Sequence, residues 1–351
     1  MATESRFQDV CVDHVRYYVA DLDARIAELE QRYGFEIYAE SADDEQRSAA
    51  IGRDDIRLVL TEALVEDYPA GVYVAQHDDG ISDIALSMPD AVADFQEAVR
   101  RGARPLAEPV ERDGVITATI GGFADVVHTF VQRTGGVDQR HLAGFAPSGG
   151  PRRVDDSGLL EVDHFAVCLE ADQLEPTVEF YQRVLDFDMT FTEKIVVDDQ
   201  AMNSKVVQSR SREVTLTLIE PDTSHAPGQI DRFLKNHGGP GVQHVAFRSL
   251  NIVRSVRIML SNGAEFLTTP SAYYRLLADR LELSRYTAKD LGELSILADE
   301  DHVGQLFQIF TRSTHPRGTL FFEVIERLGA TTFGSGNIRA LYEAVEAERA
   351  G

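Results

Sequence analysis

The chain has 351 residues, a hydrophobic fraction of 43% and a formal net charge of -24, enough apolar material for two packed domains of ordinary size. That much negative charge repels phosphate backbones, so nucleic acid is excluded as the expected partner and a small molecule is favoured. Two cysteines, Cys11 and Cys168, are too few for a disulfide framework, the polar opening Met-Ala-Thr-Glu-Ser-Arg lacks an export signal, and no apolar run is long enough for a bilayer. The expected setting is a reducing cytoplasm without membrane contact, and a homodimer is compatible with it.

In chain order, the first strand signal is Val12-Asp13-His14-Val15-Arg16, followed by a helix-like stretch that ends at Tyr33-Gly34-Phe35. A second strand, Gly80-Ile81-Ser82-Asp83-Ile84-Ala85, leads into a helix closing on Gly102-Ala103, and a third, Val126-Val127-His128-Thr129-Phe130-Val131-Gln132-Arg133, completes the half. Residues 144–158, with Pro147, Ser148, Gly149, Gly150 and Pro151, have the composition of an exposed connection.

Beyond that linker the chain repeats itself. Val162-Asp163-His164-Phe165-Ala166 echoes the first strand, Gly241-Val242-Gln243-His244-Val245-Ala246 the second, and Leu320-Phe321-Phe322-Glu323-Val324-Ile325-Glu326-Arg327 the third. A repeat of this length predicts two related units, 1–150 and 151–351, each curling alternating apolar strands into an open barrel in an α+β fold. The interval from His244 to Glu323 exceeds that from Asp83 to Thr129, and the surplus falls around 271–302, either as a surface excursion or as a flap beside a cavity.

The two halves differ in chemistry at matched positions. The second half offers His164, His244 and Glu323, whereas the first offers His14, Asp83 and Thr129, and threonine is a poor Fe(II) ligand. Two imidazoles and one carboxylate occupy one face of an octahedral Fe(II) and leave positions for a chelating substrate and dioxygen. One metal site is therefore expected, in the second unit, with the first unit acting as a metal-free scaffold. Strict alternation along the strands places Phe321 and Ile325 beside Glu323, Val162 and Ala166 beside His164, and Ala246 beside His244, with Thr217, Gln308 and Ser204 as polar points in an apolar cavity. The histidines His77, His128, His141, His225, His237, His302 and His315 lack this pattern and read as surface or structural.

The repeat, the triad and the endings Gln305-Leu306-Phe307-Gln308-Ile309-Phe310-Thr311 and Phe333-Gly334-Ser335-Gly336-Asn337 resemble the 4-hydroxyphenylpyruvate dioxygenase family of the vicinal-oxygen-chelate superfamily, over nearly the whole chain. The resemblance implies barrels built from βαβββ units and a C-terminal helix over the active one. It also implies Fe(II) on His164, His244 and Glu323, dioxygen as co-substrate, and 4-hydroxyphenylpyruvate as substrate. The substrate brings its own 2-oxo acid, so no separate 2-oxoglutarate is expected.

Ser204, Thr217, Ile219, Gln308, Phe310, Phe321, Phe333, Asn337, Ile338 and Tyr342 would line the cavity. Homogentisate-forming members usually carry Pro-Ile-Asn-Glu-Pro where this chain has Thr217-Leu218-Ile219-Glu220-Pro221, and phenylalanines where it has Ile338 and Tyr342. With Ala201-Met202-Asn203-Ser204, Gly121-Gly122-Phe123 and Thr314-His315-Pro316-Arg317, these departures look like the branch that hydroxylates the benzylic carbon to give 4-hydroxymandelate. Residues 333–346, a Gly-rich turn and then apolar positions at helical spacing, are expected to cover the cavity mouth.

Overall fold

The computed structural model describes residues 6–148, 156–197, 199–334 and 336–337. The first half starts with β1 (Cys11–Tyr18), α1 (Leu22–Glu28), β2 (Glu36–Ala42), β3 (Gln46–Arg53) and β4 (Ile56–Ala63). After α2 (Pro69–His77), the same βαβββ plan returns as β5 (Gly80–Ser87), α3 (Ala91–Arg100), β6 (Pro105–Arg112), β7 (Val115–Phe123) and β8 (Val126–Arg133), with the two-residue β9 (Ala146–Pro147) beyond. Side chains of Asp21 and Asp90 accept from the amides of Ala24 and Ala93 and so start α1 and α3.

The second half runs β10 (Leu159–Cys168), α4 (Leu174–Leu185), β11 (Asp188–Val197), β12 (Gln200–Gln208) and β13 (Thr215–Pro221). Then come α5 (Gln229–His237), β14 (Gly241–Ser249), α6 (Ile252–Ser261), α7 (Ser271–Arg280), α8 (Ala288–Glu293), β15 (Leu297–Glu300), β16 (Gln305–Phe310) and β17 (Phe321–Leu328). The chain thus forms two curled sheets with the repeated topology. One is ordered β6-β7-β8-β5-β1-β4-β3-β2-β9, the other β11-β12-β13-β10-β14-β17-β16-β15, which is the first order read backwards once the short β9 at its edge is set aside.

At the centre of each sheet the first strand lies antiparallel to the fifth and parallel to the fourth. Parallel neighbours need long crossovers, and the helices supply them. A single apolar core joins both halves, with Tyr33 edge-on to Phe322 at 5.2 Å and Phe35 edge-on to Phe247 at 5.6 Å. Aromatic pairs of this kind add to the burial of large apolar side chains.

The surplus segment at 271–302 is ordered, and its Tyr273 packs in one apolar group with Phe310 and Phe321. It folds into α7 and α8, and Tyr274, Leu277, Leu281, Leu291 and Ile296 enter the common core. The carboxylate of Glu326 on β17, only 1% exposed, accepts from the Tyr286 hydroxyl at 2.7 Å, the Arg285 guanidinium at 2.5 Å and the Ile252 amide at 2.7 Å. A buried charge is tolerated when its oxygens are filled in this way. The helix expected over the cavity mouth, with Ile338 and Tyr342, lies outside the described residues.

Candidate metal centre

His164 stands on β10, His244 on the neighbouring β14 and Glu323 on β17, three consecutive strands at the middle of the second sheet. The register brings them to one level, since His244 faces Ala166 and Ala246 faces Glu323 across the strands. One ligand atom from each residue lies within 4.8 Å of the others, and the Glu323 Oε2 is 3.3 Å from the Nε2 of both histidines. All three are buried, with 4%, 8% and 2% exposure.

Adjacent residues in a strand ordinarily face opposite ways, yet both Asp163 and His164 serve this site. The register slips between Val162 and His164, and the same slip occurs between Val12 and His14. A β-bulge there turns the extra aspartate inward beside the histidine. Val162 is carried the other way and packs against the common core, so strict alternation misplaces it beside His164. His164 Nδ1 then donates to Asp163 Oδ1 at 2.8 Å, while Arg327 Nε and Nη2 donate to the two oxygens of Asp163 at 2.8 Å each. The carboxylate fixes the ring so that Nε2 points into the site, the arrangement in which metal-bound histidines are usually held. His244 is held more weakly, its Nδ1 donating to Gln243 Oε1 at 3.3 Å.

Burial opposes charge on all three groups. Against that, the carboxylates of Glu323 and Asp163 raise the His164 imidazole to about 9, whereas burial wins at His244 and lowers it. Glu323 is also penalised by burial, but the two imidazoles outweigh it and keep the carboxylate below its usual range. The second oxygen, Oε1, is buried with no hydrogen-bond partner. An ionised carboxylate with an orphan oxygen, beside two inward-facing imidazole nitrogens, is a donor set that a divalent cation completes, and N, N, O chemistry suits Fe(II).

Residues 163–279 match the model of the Glyoxalase/Bleomycin resistance protein/Dioxygenase superfamily. A triple mutant of 4-hydroxymandelate synthase from Streptomyces coelicolor superposes with a TM-score of 0.85 at 40% identity, covering 97% of this chain and 98% of that one. The 4-hydroxyphenylpyruvate dioxygenase of Dictyostelium discoideum is 31% identical over 365 residues, covering 96% of this chain and 97% of the relative. The chain belongs to the 4-hydroxyphenylpyruvate dioxygenase family. The enzyme of that name from Danio rerio is also 31% identical, over 96% of this chain and 90% of its own length. A xylose isomerase-like TIM barrel/4-hydroxyphenylpyruvate dioxygenase fusion protein, 22% identical, shares the fold with a TM-score of 0.77 over 97% of this chain and 53% of that one.

Aromatic rings stand directly against the triad's two imidazoles. Phe321 stacks on His244 at 5.0 Å, Phe310 meets the same ring edge-on at 5.8 Å, and Phe333 meets His164 edge-on at 5.0 Å. Gln308 and Phe310 on β16 pair with Ile325 and Glu323, which places them on the triad's side of the sheet. Thr217 pairs with Ala166 and its buried hydroxyl has no partner. Ser204 is buried on β12 opposite Ile219, and Ile219 packs against the apolar group formed by Cys168, Met202, Ile230 and Phe233. Asn337 is fully buried, with Oδ1 3.0 Å from the Tyr273 hydroxyl and Nδ2 unpartnered.

Three participants escaped the sequence reading: Asp163, Arg327 and Tyr273. The first two had a visible signal, because both halves carry Asp-His in the first strand and an arginine at the end of the last. Tyr273 had none, since nothing in the sequence says how the extra helices dock.

Proposed function

We propose that the enzyme converts 4-hydroxyphenylpyruvate and dioxygen to 4-hydroxymandelate and carbon dioxide, using one Fe(II) held by His164, His244 and Glu323. Bound iron would supply an open coordination face for the 2-oxo acid and for dioxygen, with the substrate itself as the reductant, so that no 2-oxoglutarate is consumed. The residues of the chain do the rest. Asp163 keeps the His164 ring in its ligating tautomer. Phe310, Phe321 and Phe333 exclude water from the reacting end. The unpartnered hydroxyl of Thr217 and the unpartnered Nδ2 of Asn337 would donate to substrate oxygens, with Ser204 and Gln308 as further polar points. The first half, in which Asp83 accepts from the Thr129 hydroxyl at 2.5 Å, serves as a metal-free scaffold.

The observation that carries the choice of product is Ile219. Where the resemblance implies an amide in homogentisate-forming members, this chain has a branched apolar side chain packed on Cys168 and Met202, so no amide is offered at that position. The likeness to 4-hydroxymandelate synthase at 40% identity supports the same reading. Incubation with Fe(II), ascorbate and 4-hydroxyphenylpyruvate, followed by mass and retention analysis, should give 4-hydroxymandelate; homogentisate as main product would favour the ring-hydroxylating alternative that the family resemblance also implies.

A further inference from the structure

Arg327 does more than hold Asp163. While Nε and Nη2 grip that carboxylate, Nη1 turns the other way and donates to the carbonyl of Thr332 at 2.6 Å and, more loosely, to that of Ala330 at 3.4 Å. Its guanidinium also lies over the Phe333 ring, 5.0 Å from the centroid. Phe333 is the ring that meets His164 edge-on, and it also borders a cleft of about 630 Å³ shared with Asp163, Arg327 and Thr332. One side chain therefore touches both the partner of a triad histidine and the backbone that carries the ring between cleft and triad.

The first half repeats the device without the triad. His14 Nδ1 donates to Asp13 at 2.7 Å, Arg133 grips both oxygens of Asp13, and Arg133 Nε donates to the His141 carbonyl at 3.0 Å. The segment so drawn in places Leu142 and Phe145 on Ala39, Ala50 and Val59. In both barrels the arginine ties the segment after the last strand to the aspartate-histidine pair, but among the described residues only the second barrel's histidine stands in a ligand set.

We propose that Arg327 is a positioning residue that couples the orientation of His164 to closure of the Phe333 segment, so that a cation at the triad and a closed cover stabilise each other. Linkage makes the effect reciprocal: whatever the cation gains from closure, closure gains from the cation. The inference rests on the metal reading of the triad. The test uses Zn(II) as a redox-silent probe on the full chain, with affinity measured by chelator competition and hydrogen exchange followed over residues 329–334.

In the unaltered protein, Zn(II) should slow exchange in 329–334. Arg327→Met should abolish that response and weaken Zn(II) about 10–100-fold, the usual effect of losing an outer-shell partner. Arg327→Lys, which keeps the charge but cannot grip the carboxylate and the carbonyls together, should recover part of the affinity and none of the protection. Arg133→Met is the control for a merely structural clip and should leave Zn(II) affinity within about twofold, because Arg133 bonds Asp13 and the His141 carbonyl and shares no partner with the triad.

Should Arg327→Met fail to fold, Asp163→Asn/Arg327→Met, which leaves no buried unpaired charge, carries the test. Equal loss of affinity at Arg133 and Arg327, or exchange in 329–334 that ignores Zn(II), overturns the coupling while leaving the metal site standing. No Zn(II) uptake by the unaltered protein overturns both.

Discussion

Glu323→Gln keeps the shape of the site and removes its charge. A carboxylate and a unit positive charge about 3 Å apart attract by about 5 kcal/mol at an effective dielectric of about 20, and the carboxylate oxygen, 3.3 Å from each imidazole Nε2, is within reach of a cation shared with both. Burial of all three groups takes some of this back. If about 3–4 kcal/mol survives, a divalent cation binds the variant roughly 10²–10³-fold more weakly. With metal at about 100 times its dissociation constant, the unaltered enzyme is stabilised by about 2.7 kcal/mol, and the variant at the same concentration by less than about 0.5 kcal/mol.

At about 2 cal/mol/K per residue, the entropy of unfolding of a chain this long makes 1 kcal/mol worth about 1.4 °C. Anaerobic melts should therefore show Fe(II) raising the midpoint by about 4 °C in the unaltered enzyme and by less than about 1 °C in Glu323→Gln. Each protein is compared with itself, metal-loaded against metal-free, so a change in metal-free stability cancels. A shift in Glu323→Gln as large as in the unaltered enzyme would mean that Glu323 is no ligand.

Three other outcomes are expected. Thr217→Val removes a buried hydroxyl that has no partner; it should leave the substrate-free enzyme equally stable or about 1 kcal/mol more stable, while raising KM, and a drop in melting midpoint would contradict the unpartnered state. Ile219→Asn restores an amide at the wall and should move product toward homogentisate, a tenfold change in ratio corresponding to about 1.4 kcal/mol of relative barrier; a product ratio equal to that of the parent sinks the anchoring argument.

The third concerns His237, 3% exposed and stacked on His77 at 4.2 Å, whose imidazole is lowered to about 4 by burial and then by His77. Its neutral form is the native one, so the unfolded chain takes up the proton first. Stability is full above about pH 6.5 and falls by about 3 kcal/mol as pH drops toward 4. Urea midpoints at pH 4.5 and 7 should differ less in His237→Asn than in the parent, and an identical difference would acquit His237.

Much of the centre could be read from the sequence because it obeys short-range rules. His164, His244 and Glu323 stand on strands whose apolar alternation and repeat are visible in one dimension, and Phe321 follows from Glu323 by simple parity. Parity failed at Val162 and Asp163, where a bulge adds a residue and reverses the facing of what precedes it. The docking of α7 and α8 was equally illegible. Tyr273 reaches Asn337, and Arg285 and Tyr286 reach Glu326, through contacts between segments far apart in the chain, and no local propensity encodes such pairings.

The repeat sets two chemically different groups on one plan, two imidazoles and a carboxylate in one half and a hydrogen-bonded aspartate-threonine pair in the other. Both halves build the bulge, the aspartate-histidine pair and the arginine, so these belong to the architecture and do not by themselves make a metal site. Three further choices separate the halves. Position 83 offers a carboxylate where position 244 offers an imidazole, and that carboxylate is occupied by both the amide and the hydroxyl of Thr129. Position 129 lacks the acid found at Glu323. The segment after β8 brings Leu142 and Phe145 onto the first barrel's Ala39, Ala50 and Val59, whereas the segment after β17 brings Phe333 edge-on to His164 beside an open cleft. The Nε2 of His14, buried and unpartnered, is then the mark of the shared scaffold, and among the described residues its counterpart at His164 is the one that meets a second imidazole and a carboxylate.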